Sequence, residues 1–550
     1  MRDYEDVYSG YVHPVSRTNW SSDEEVKANL VFAKLDDEKK IRSGGIPIIS
    51  DGHTAFIDSS DAHCMIDGNS GSKKSLCVFM TLICTLVKAG ENFVVTDPKG
   101  ELFRRTAAYA KHKGYKLHVL NFRDYNGEGY NPLSYPTKLY KSGDIDKAAT
   151  VSSELVSALA QRQMESSKID PFWPDTAKAF NNGILPFMYS SYPAPDDINF
   201  LSLSDYYTTR TVSNLTEYLN SDIGVTNSAT QNLRTVLSEP EKTLMSTLST
   251  CSSFIQPFLQ NDKLARMLSH STFDLDELTT EKTALYIITD DASPICDPIV
   301  GILISQIQSA LVDKAYHSKN GKLKTRVNFV LDEFCSFPVP NIASALATHR
   351  SRNIRYYLCV QSLDLLEKRY PNYKNMITNC AVTLFLGSTE MELLKMISER
   401  CGTTEITMSG HEEPLISVPE LMTLKQDWFS KEAVYLNLAS GIRYCTVLPA
   451  IEKYDEFCRY GEEEIPDIIH PPVRFYSFFD LMNDISKGKA NKPFCTRNTL
   501  KSKTEAARNR IVRRNKTETI PDGILDLDTQ KELEAKFDEL FGALEDEEDE

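Results

Sequence analysis

Long apolar runs are missing from this chain of 550 residues. A membrane-spanning helix needs about 18 or more consecutive apolar residues. Residues 76–89 and 299–312 come nearest to that pattern, but polar side chains interrupt both. We interpret them as core helices and expect no transmembrane helix in this chain.

Paired cysteines and a positive net charge are also missing. The twelve cysteines form no C-x-x-C pair and no His/Cys cluster with zinc-ligand spacing, and no signal-peptide pattern is present. This usage is typical of reduced, mostly buried thiols in a cytosolic protein. The formal net charge of −16 excludes a protein that coats nucleic acid with its whole surface, but allows local basic patches.

A glycine-rich turn, GNSGSKKS, lies between an apolar strand and an apolar helix. This order is typical of a phosphate-binding loop, in which backbone N–H groups surround phosphates, a Lys neutralises charge and a Ser or Thr binds Mg²⁺. Lys74 and Ser75 occupy the last two places, whereas Lys73 stands where the pattern G-x-x-x-x-G-K-[ST] has its second Gly. The alternative is an ordinary solvated turn before a helix. The candidate nucleotide-binding residues here are Gly68, Asn69, Ser70, Gly71, Ser72, Lys73, Lys74 and Ser75.

Strands alternate with helices on either side of the inserted middle of the chain. Residues 92–97 and 116–122 have the pattern of buried strands, with a helix at 101–112 between them. This alternation predicts an α/β fold with a parallel-rich central sheet. Asp97 and Lys99 follow the first of these strands, where open α/β sheets bind ligands, although an ordinary turn is an equal alternative.

A second group of polar residues follows later strands. Asp332 and Glu333 end the apolar run 326–332, which places Asp332 to hold Mg²⁺ and Glu333 to polarise the attacking water. Gln361 ends the strand 354–360 and can sense the γ-phosphate. Arg350 and Arg352 lie at the end of a helix predicted at 341–351 and are candidate arginine fingers for a neighbouring subunit, or simply a solvent-exposed pair.

Composition divides the chain into six parts. Between the two α/β regions the strand signals fade and helical periodicity dominates. Near the C-terminus, residues 487–516 hold eleven Lys or Arg against one acid, and residues 522–550 hold thirteen acids with apolar residues at helical spacing. The predicted parts are an N-terminal arm with one helix (1–45), a nucleotide-binding domain in two pieces (46–144 and 279–479), an inserted all-α domain (145–278), a basic linker (480–521) and an acidic amphipathic tail (522–550).

Six motifs occur in the order GNSGSKKS, DPKGEL, NFRDYNGEGYNPL, LDEF, HRSRNIRYYLCVQS and PLISVPELMTL. Together they resemble those of the type IV secretion coupling proteins, the TraG/TraD-type DNA-pumping ATPases of conjugation, over about residues 60–450. The resemblance implies a RecA-like P-loop NTPase domain interrupted by an all-α domain, with a disordered or helical C-terminal tail. It also implies a homo-hexameric ring that uses ATP and Mg²⁺ to transfer single-stranded DNA with a bound relaxase.

By position, the resemblance assigns Lys74 and Ser75 to phosphate and Mg²⁺, Asp332 and Glu333 to Mg²⁺ and water, and Gln361 to sensing. Family members usually carry transmembrane helices before the nucleotide domain. Since we expect none here, we place the protein in the cytoplasm, at the inner face of the membrane, held by anchor and channel subunits of the secretion system. The acidic tail would recruit relaxase complexes or secreted proteins.

Two other functions fit the same sequence. The altered phosphate loop suits a recruitment platform that binds nucleotide weakly and does not pump. A coupling ATPase for protein substrates alone is the third reading.

Overall fold

The computed structural model describes residues 18–166, 170–221, 227–405 and 412–494. Contacts divide the chain into two units, Met1–Pro493 and Phe494–Glu550. The predicted acidic tail and the part of the basic linker beyond residue 494 lie outside the described residues.

The N-terminal region contains a capped helix and the edge of a small sheet. Helix α1 (Asp23–Asn29) begins after Ser22, whose Oγ accepts a hydrogen bond from the Glu25 N–H while the Glu25 carboxylate accepts one from the Ser22 N–H. This capping box confirms the predicted helix. The rest of the predicted arm contains a strand, Val31–Lys34, which pairs antiparallel with a later strand. The three strands of this sheet, in the order β1-β3-β2, are β1 (Val31–Lys34), β2 (Ile46–Ser50) and β3 (Thr54–Asp58).

A ten-stranded sheet forms the centre of the fold, in the order β15-β14-β11-β4-β10-β9-β5-β8-β6-β7. The strands from β11 to β6 in this order run parallel, and antiparallel strands complete both edges. A separate two-stranded sheet pairs β12 with β13. These twelve strands are β4 (Cys64–Gly68), β5 (Asn92–Asp97), β6 (Lys116–Asn121), β7 (Asn126–Gly127), β8 (Thr283–Ile288), β9 (Val327–Leu331), β10 (Ile354–Val360), β11 (Val382–Gly387), β12 (Thr403–Glu405), β13 (Glu412–Pro414), β14 (Ser430–Asn437) and β15 (Ile442–Pro449).

Burial explains why the central strands could be predicted. Every residue of β4, β5, β8, β9 and β10 is buried, because helices cover both faces of a parallel sheet. The first two covering helices, α2 (Met80–Ala89) and α3 (Glu101–His112), pack against each other over one face. The helix that precedes α2 is a single π-helical turn, Ser75–Phe79. The predicted α/β class with a parallel-rich sheet is confirmed.

Helices and turns make up the described residues between β7 and β8. The longest, α5 and α6, pack against each other, and α5 also packs against a helix of the sheet region. The division of the chain into domains stays a prediction. These helices are α4 (Ser134–Lys141), α5 (Ile145–Ser166), α6 (Phe172–Ser191), α7 (Phe200–Asp205), α8 (Thr209–Ser221), α9 (Ser228–Leu237), α10 (Glu241–Leu259), α11 (Asp262–Met267) and α12 (Glu277–Thr280).

Two predicted boundaries differ from the structure in the remaining helices. The helix predicted over 341–351 is an α-helix only to Thr348 and then tightens into the 3₁₀ turn His349–Arg352. The predicted linker begins inside a helix, since Leu481 is buried and helical. These helices are α13 (Asp297–Tyr316), α14 (Ile342–Thr348), α15 (Leu363–Arg369), α16 (Tyr373–Asn379), α17 (Met391–Cys401), α18 (Val418–Met422), α19 (Asp455–Cys458) and α20 (Phe478–Ser486).

One stretch of the described residues has the length and apolar composition of a membrane-crossing helix. It is Pro294–Tyr316, and 78% of its apolar window is buried inside the fold.

Candidate active site

The glycine-rich turn joins β4 to the helix that covers it. Gly71 adopts φ +79° with open space around it, a conformation that glycine enters without steric cost. The turn is closed by the Ser72 N–H, which donates to the Asn69 carbonyl at 3.2 Å. Lys74 is buried and its Nζ donates to the carbonyls of Gly68 and Asn69, at 2.7 and 2.8 Å. Its ammonium group therefore lies inside the loop, at the helix start that follows.

Lys73 adopts the left-handed conformation, with φ +60°. This conformation costs a residue with a Cβ about 1–2 kcal/mol relative to glycine. A negative φ at this position would let the Lys73 side chain point to solvent or add charge near the phosphates. Instead its Nζ donates to the backbone carbonyl of Asp427, on a loop far along the chain.

Two acidic residues follow β9 at the same edge of the sheet. The Asp332 carboxylate accepts a hydrogen bond from the Glu333 N–H at 2.9 Å. Burial raises the pKa of Asp332, and the nearby Lys74 ammonium opposes this effect. Burial also raises the pKa of Glu333, with the neighbouring Asp332 charge adding to it. Glu333 has φ +50°, a strained conformation of the kind that clusters at functional sites.

Asp97 ends β5, the strand next to β9. One carboxylate oxygen accepts from the Phe103 N–H at 2.8 Å and so holds the first turn of α3. The other oxygen is buried and has no hydrogen-bond partner among the described residues. Burial raises the pKa of Asp97 to about 6. Lys99, two residues later, is exposed.

One cavity of about 250 Å³ gathers most of the predicted residues at the carboxyl ends of β4, β5, β9 and β10. Gln361 reaches it from the end of β10, which lies between β4 and β9. Gly68 and Asn69 do not line it, but their carbonyls hold Lys74. The lining residues are Ser70, Gly71, Ser72, Lys73, Lys74, Ser75, Leu76, Asp97, Pro98, Lys99, Glu101, Asp332, Glu333 and Gln361.

The two predicted arginine fingers lie outside this cavity. Arg350 is exposed, and its Nε lies 3.3 Å from the Asp61 carboxylate. Arg352 donates to the Thr348 carbonyl at 3.1 Å and lines a different groove. Their predicted role in a neighbouring subunit stays a prediction.

Sequence reasoning missed two acidic residues at this edge of the sheet. Glu101 lines the cavity as the first residue of α3, inside the quoted motif DPKGEL, and its charge raises the pKa of Asp97 after the effects of burial. Asp67 lies one residue before the phosphate loop and is fully buried. The signal in the sequence was an acidic residue inside an apolar run that predicts a buried strand.

The cavity has the chemistry of a site for a metal-bound polyphosphate. It offers a buried ammonium, backbone N–H groups at a helix start, and the buried carboxylates of Asp97 and Asp332, whose charges a divalent cation would neutralise. The buried oxygens of Ser72 and Asp97 have no partner among the described residues and add further polar contacts.

Solved structures of the coupling protein TrwB have a similar fold. The conjugative coupling protein TrwB, crystallised without its first residues and with sulphate, has a TM-score of 0.53, is 14% identical, and covers 78% of this chain and 93% of its own. TrwB in complex with ADP and Mg²⁺ has a TM-score of 0.51 and the same 14% identity, covering 83% of this chain and 96% of its own. These similarities confirm the predicted RecA-like fold.

Sequence comparisons point to the same family. A conjugal transfer protein TraG of Escherichia coli is 28% identical over 366 residues, which is 60% of this chain and 54% of that protein. A second TraG of Escherichia coli is 26% identical over 361 residues. The chain thus spans about half the length of the curated relatives it matches. The family model described as type IV secretory system conjugative DNA transfer matches residues 17–429, and this match over most of the chain shows that the protein belongs to that family.

Proposed function

We propose that this protein is a P-loop ATPase that uses ATP and Mg²⁺ to drive single-stranded DNA, with its bound relaxase, toward a type IV secretion channel. The observation that carries the proposal is the single cavity shared by Lys74, Ser75, Asp332 and Glu333. The family membership supports conjugative DNA transfer as the process, and the complex of TrwB with ADP and Mg²⁺ supports the cofactors.

Each side chain has a role that follows from its position. Lys74, already held inside the loop, neutralises the β- and γ-phosphates, and the loop N–H groups donate to their oxygens. Ser75 and Asp332 hold Mg²⁺, which supplies charge neutralisation at the phosphates. Asp97 and Lys99 complete the polar wall of the site.

Glu333 orients the attacking water for displacement at the γ-phosphate, and its raised pKa suits a group that accepts a proton. Gln361 lies at the end of β10, the strand between β4 and β9, and contacts the γ-phosphate. Through this contact β10 senses whether the γ-phosphate is present. Arg350, which is exposed, and Arg352, which is half-buried, act on a nucleotide of a neighbouring subunit in a hexameric ring.

The test is ATP hydrolysis with and without single-stranded DNA. We expect DNA-stimulated turnover in the wild type and a loss of about 100-fold or more in Glu333→Gln, with ATP affinity retained, because the amide keeps the shape but accepts no proton. Glu367→Gln, which changes an exposed carboxylate on α15, is the matched control and should behave as wild type. Equal turnover in Glu333→Gln and wild type would contradict the assignment.

The left-handed conformation of Lys73 favours a second candidate function, a substrate-recruitment platform that binds nucleotide weakly. A lysine held in this conformation costs the loop about 1–2 kcal/mol that glycine would not, which lowers the stability of the loop conformation that binds phosphates. DNA transfer efficiency with Lys74→Ala separates the two functions. The translocase requires a severe loss of transfer, whereas the platform should lose little.

The partners are part of the same proposal. The cargo is single-stranded DNA rather than protein alone, the assembly is a homo-hexamer, and channel and anchor subunits hold the protein at the inner face of the membrane. The acidic segment 522–550, which lies outside the described residues, recruits the relaxase complex. Deleting it should leave basal ATPase activity unchanged and weaken capture of the relaxase complex; equal capture by both forms would exclude that role.

A further inference from the structure

A short turn before β14 presents a tryptophan to solvent beside the phosphate loop. Trp428 is 88% exposed, and the neighbouring Phe429 is 52% exposed. Leaving an indole of this size in water sacrifices a large apolar contact area. The aromatic ring of Trp428 is therefore accessible from solvent.

The turn that carries Trp428 is built to hold its shape. An antiparallel bridge closes it between Gln426 and Lys431. Within it, the Asp427 carboxylate accepts from the Phe429 N–H at 2.7 Å and from the Ser430 hydroxyl at 2.9 Å. A turn stabilised by its own Asp side chain holds the backbone of the neighbouring Trp428 in place.

The base of the turn is also anchored to the region beyond β15. The Phe429 carbonyl accepts from the Ala450 N–H at 2.7 Å, and the Lys453 ammonium lies 4.8 Å from the centre of the Phe429 ring. Phe429 thus contributes to the support of the turn, while Trp428 stays exposed at its tip.

Sheet topology puts this turn at the phosphate edge. Strand β14 runs antiparallel to β11, and β11 runs parallel to β4, so the start of β14 lies beside the carboxyl ends of both. The Lys73 ammonium then joins the phosphate loop directly to the Asp427 carbonyl, one residue before Trp428. This contact occupies the side chain of the one loop residue that departs from the glycine pattern.

A nucleotide whose phosphates fill the cavity must extend its ribose and base beyond it. None of the described residues that line the cavity is aromatic, so the cavity itself offers no face for the base. Trp428 lies on the side of the loop opposite to the strand of Asp332, since β11 lies on one side of β4, whereas β10 and then β9 lie on the other. A base that leaves the cavity on this side meets the exposed indole.

We propose that Trp428 is the base-stacking residue of the nucleotide site, held in place by the contact between Lys73 and Asp427. This inference rests on the proposed function, because it needs a nucleotide in the phosphate loop. Stacking uses the ring face, which every base has, and makes no hydrogen bond to the base edge. The site accordingly accepts adenine and guanine nucleotides with similar affinity.

The experiment measures equilibrium binding of ATP, GTP and inorganic tripolyphosphate, each with Mg²⁺, to the full chain. We expect Trp428→Ala to bind ATP and GTP about 10- to 100-fold more weakly than wild type and to bind tripolyphosphate equally well, because only the base contacts the ring. Trp428→Phe should restore nucleotide affinity to within about threefold. Phe479→Ala, which removes a ring that is 71% exposed on α20, is the control and should change none of these affinities.

Fluorescence gives an independent readout, since the chain has three tryptophans. Nucleotide should quench the emission of wild type and not that of Trp428→Phe, whereas tripolyphosphate should quench neither. Equal ATP affinity in wild type and Trp428→Ala would overturn the base-stacking role alone. The same holds if Trp428→Ala changes the oligomeric mass of the protein but leaves its ATP affinity unchanged. Failure of the wild type to bind either ATP or tripolyphosphate would overturn the proposed function itself.

Discussion

Asp67 is a carboxyl group buried at the end of β4, one residue before the phosphate loop. It lies opposite Val360 on one neighbouring strand and Phe385 on the other. Neither of its carboxyl oxygens has a hydrogen-bond partner among the described residues. Burial raises its pKa from the ordinary 3.8 to about 8, with the Arg400 charge opposing and the Glu390 charge assisting. Asp67→Asn keeps the shape and removes the ionisation.

The direction of the effect follows from proton binding. Between pH 3.8 and about 8 the unfolded chain has lost the proton that the folded protein still holds. The stability of the wild type therefore falls as the pH rises through this range and is constant above it. A pKa difference of about 4 corresponds to about 6 kcal/mol at 1.36 kcal/mol per unit, which is the upper limit of the cost at high pH.

Asp67→Asn should escape this cost, so its advantage over wild type should grow with pH. Between about pH 6 and about pH 8 the difference in unfolding free energy should rise by about 2 kcal/mol. The assay is urea unfolding of both proteins, followed by circular dichroism at several pH values. Asp36→Asn, which changes an exposed carboxylate, is the control and should show no such trend. A constant difference between Asp67→Asn and wild type over this pH range would refute the reasoning.

Two further predictions concern the phosphate loop and a buried histidine. Lys73→Gly should raise ATP turnover, because glycine adopts the left-handed conformation freely. It should not lower the KM for ATP, because the contact with Asp427 is lost. Unchanged turnover would mean that Lys73 has no effect on ATP hydrolysis. His118 lies between Glu128 and Glu277, at 3.0 and 2.7 Å, and although burial opposes its charge, these hydrogen bonds raise its pKa above 6.5. The stability that charged His118 gives the folded protein should be complete below about pH 6.5 and lost as the pH rises through the folded pKa. The difference in unfolding temperature between wild type and His118→Asn should therefore narrow with rising pH. A difference in unfolding temperature that widens with rising pH would contradict this prediction.

The central sheet and the clustering of polar residues at its carboxyl edge could be predicted from the sequence. The predicted bounds of the strand at 92–97 and of the helix at 101–112 agree with the structure. Parallel strands covered on both faces leave continuous apolar runs, and polar residues at their carboxyl ends meet at one edge because the strands are parallel. Local pattern and strand direction were therefore enough to predict that Lys74, Asp332 and Gln361 line one cavity.

Other features depend on contacts between residues far apart in the chain, which a local pattern does not encode. The Lys73 side chain meets Asp427 across 354 positions, and only the packed loops show that its φ is positive and that Trp428 lies beside it. The same holds for the desolvation of Asp67, which requires strands on both sides and helices above them. The sequence by itself determined which residues end the strands, whereas tertiary packing decided which of them are strained, buried without a partner, or left exposed, because desolvation and backbone strain are set by neighbours that only the fold brings together.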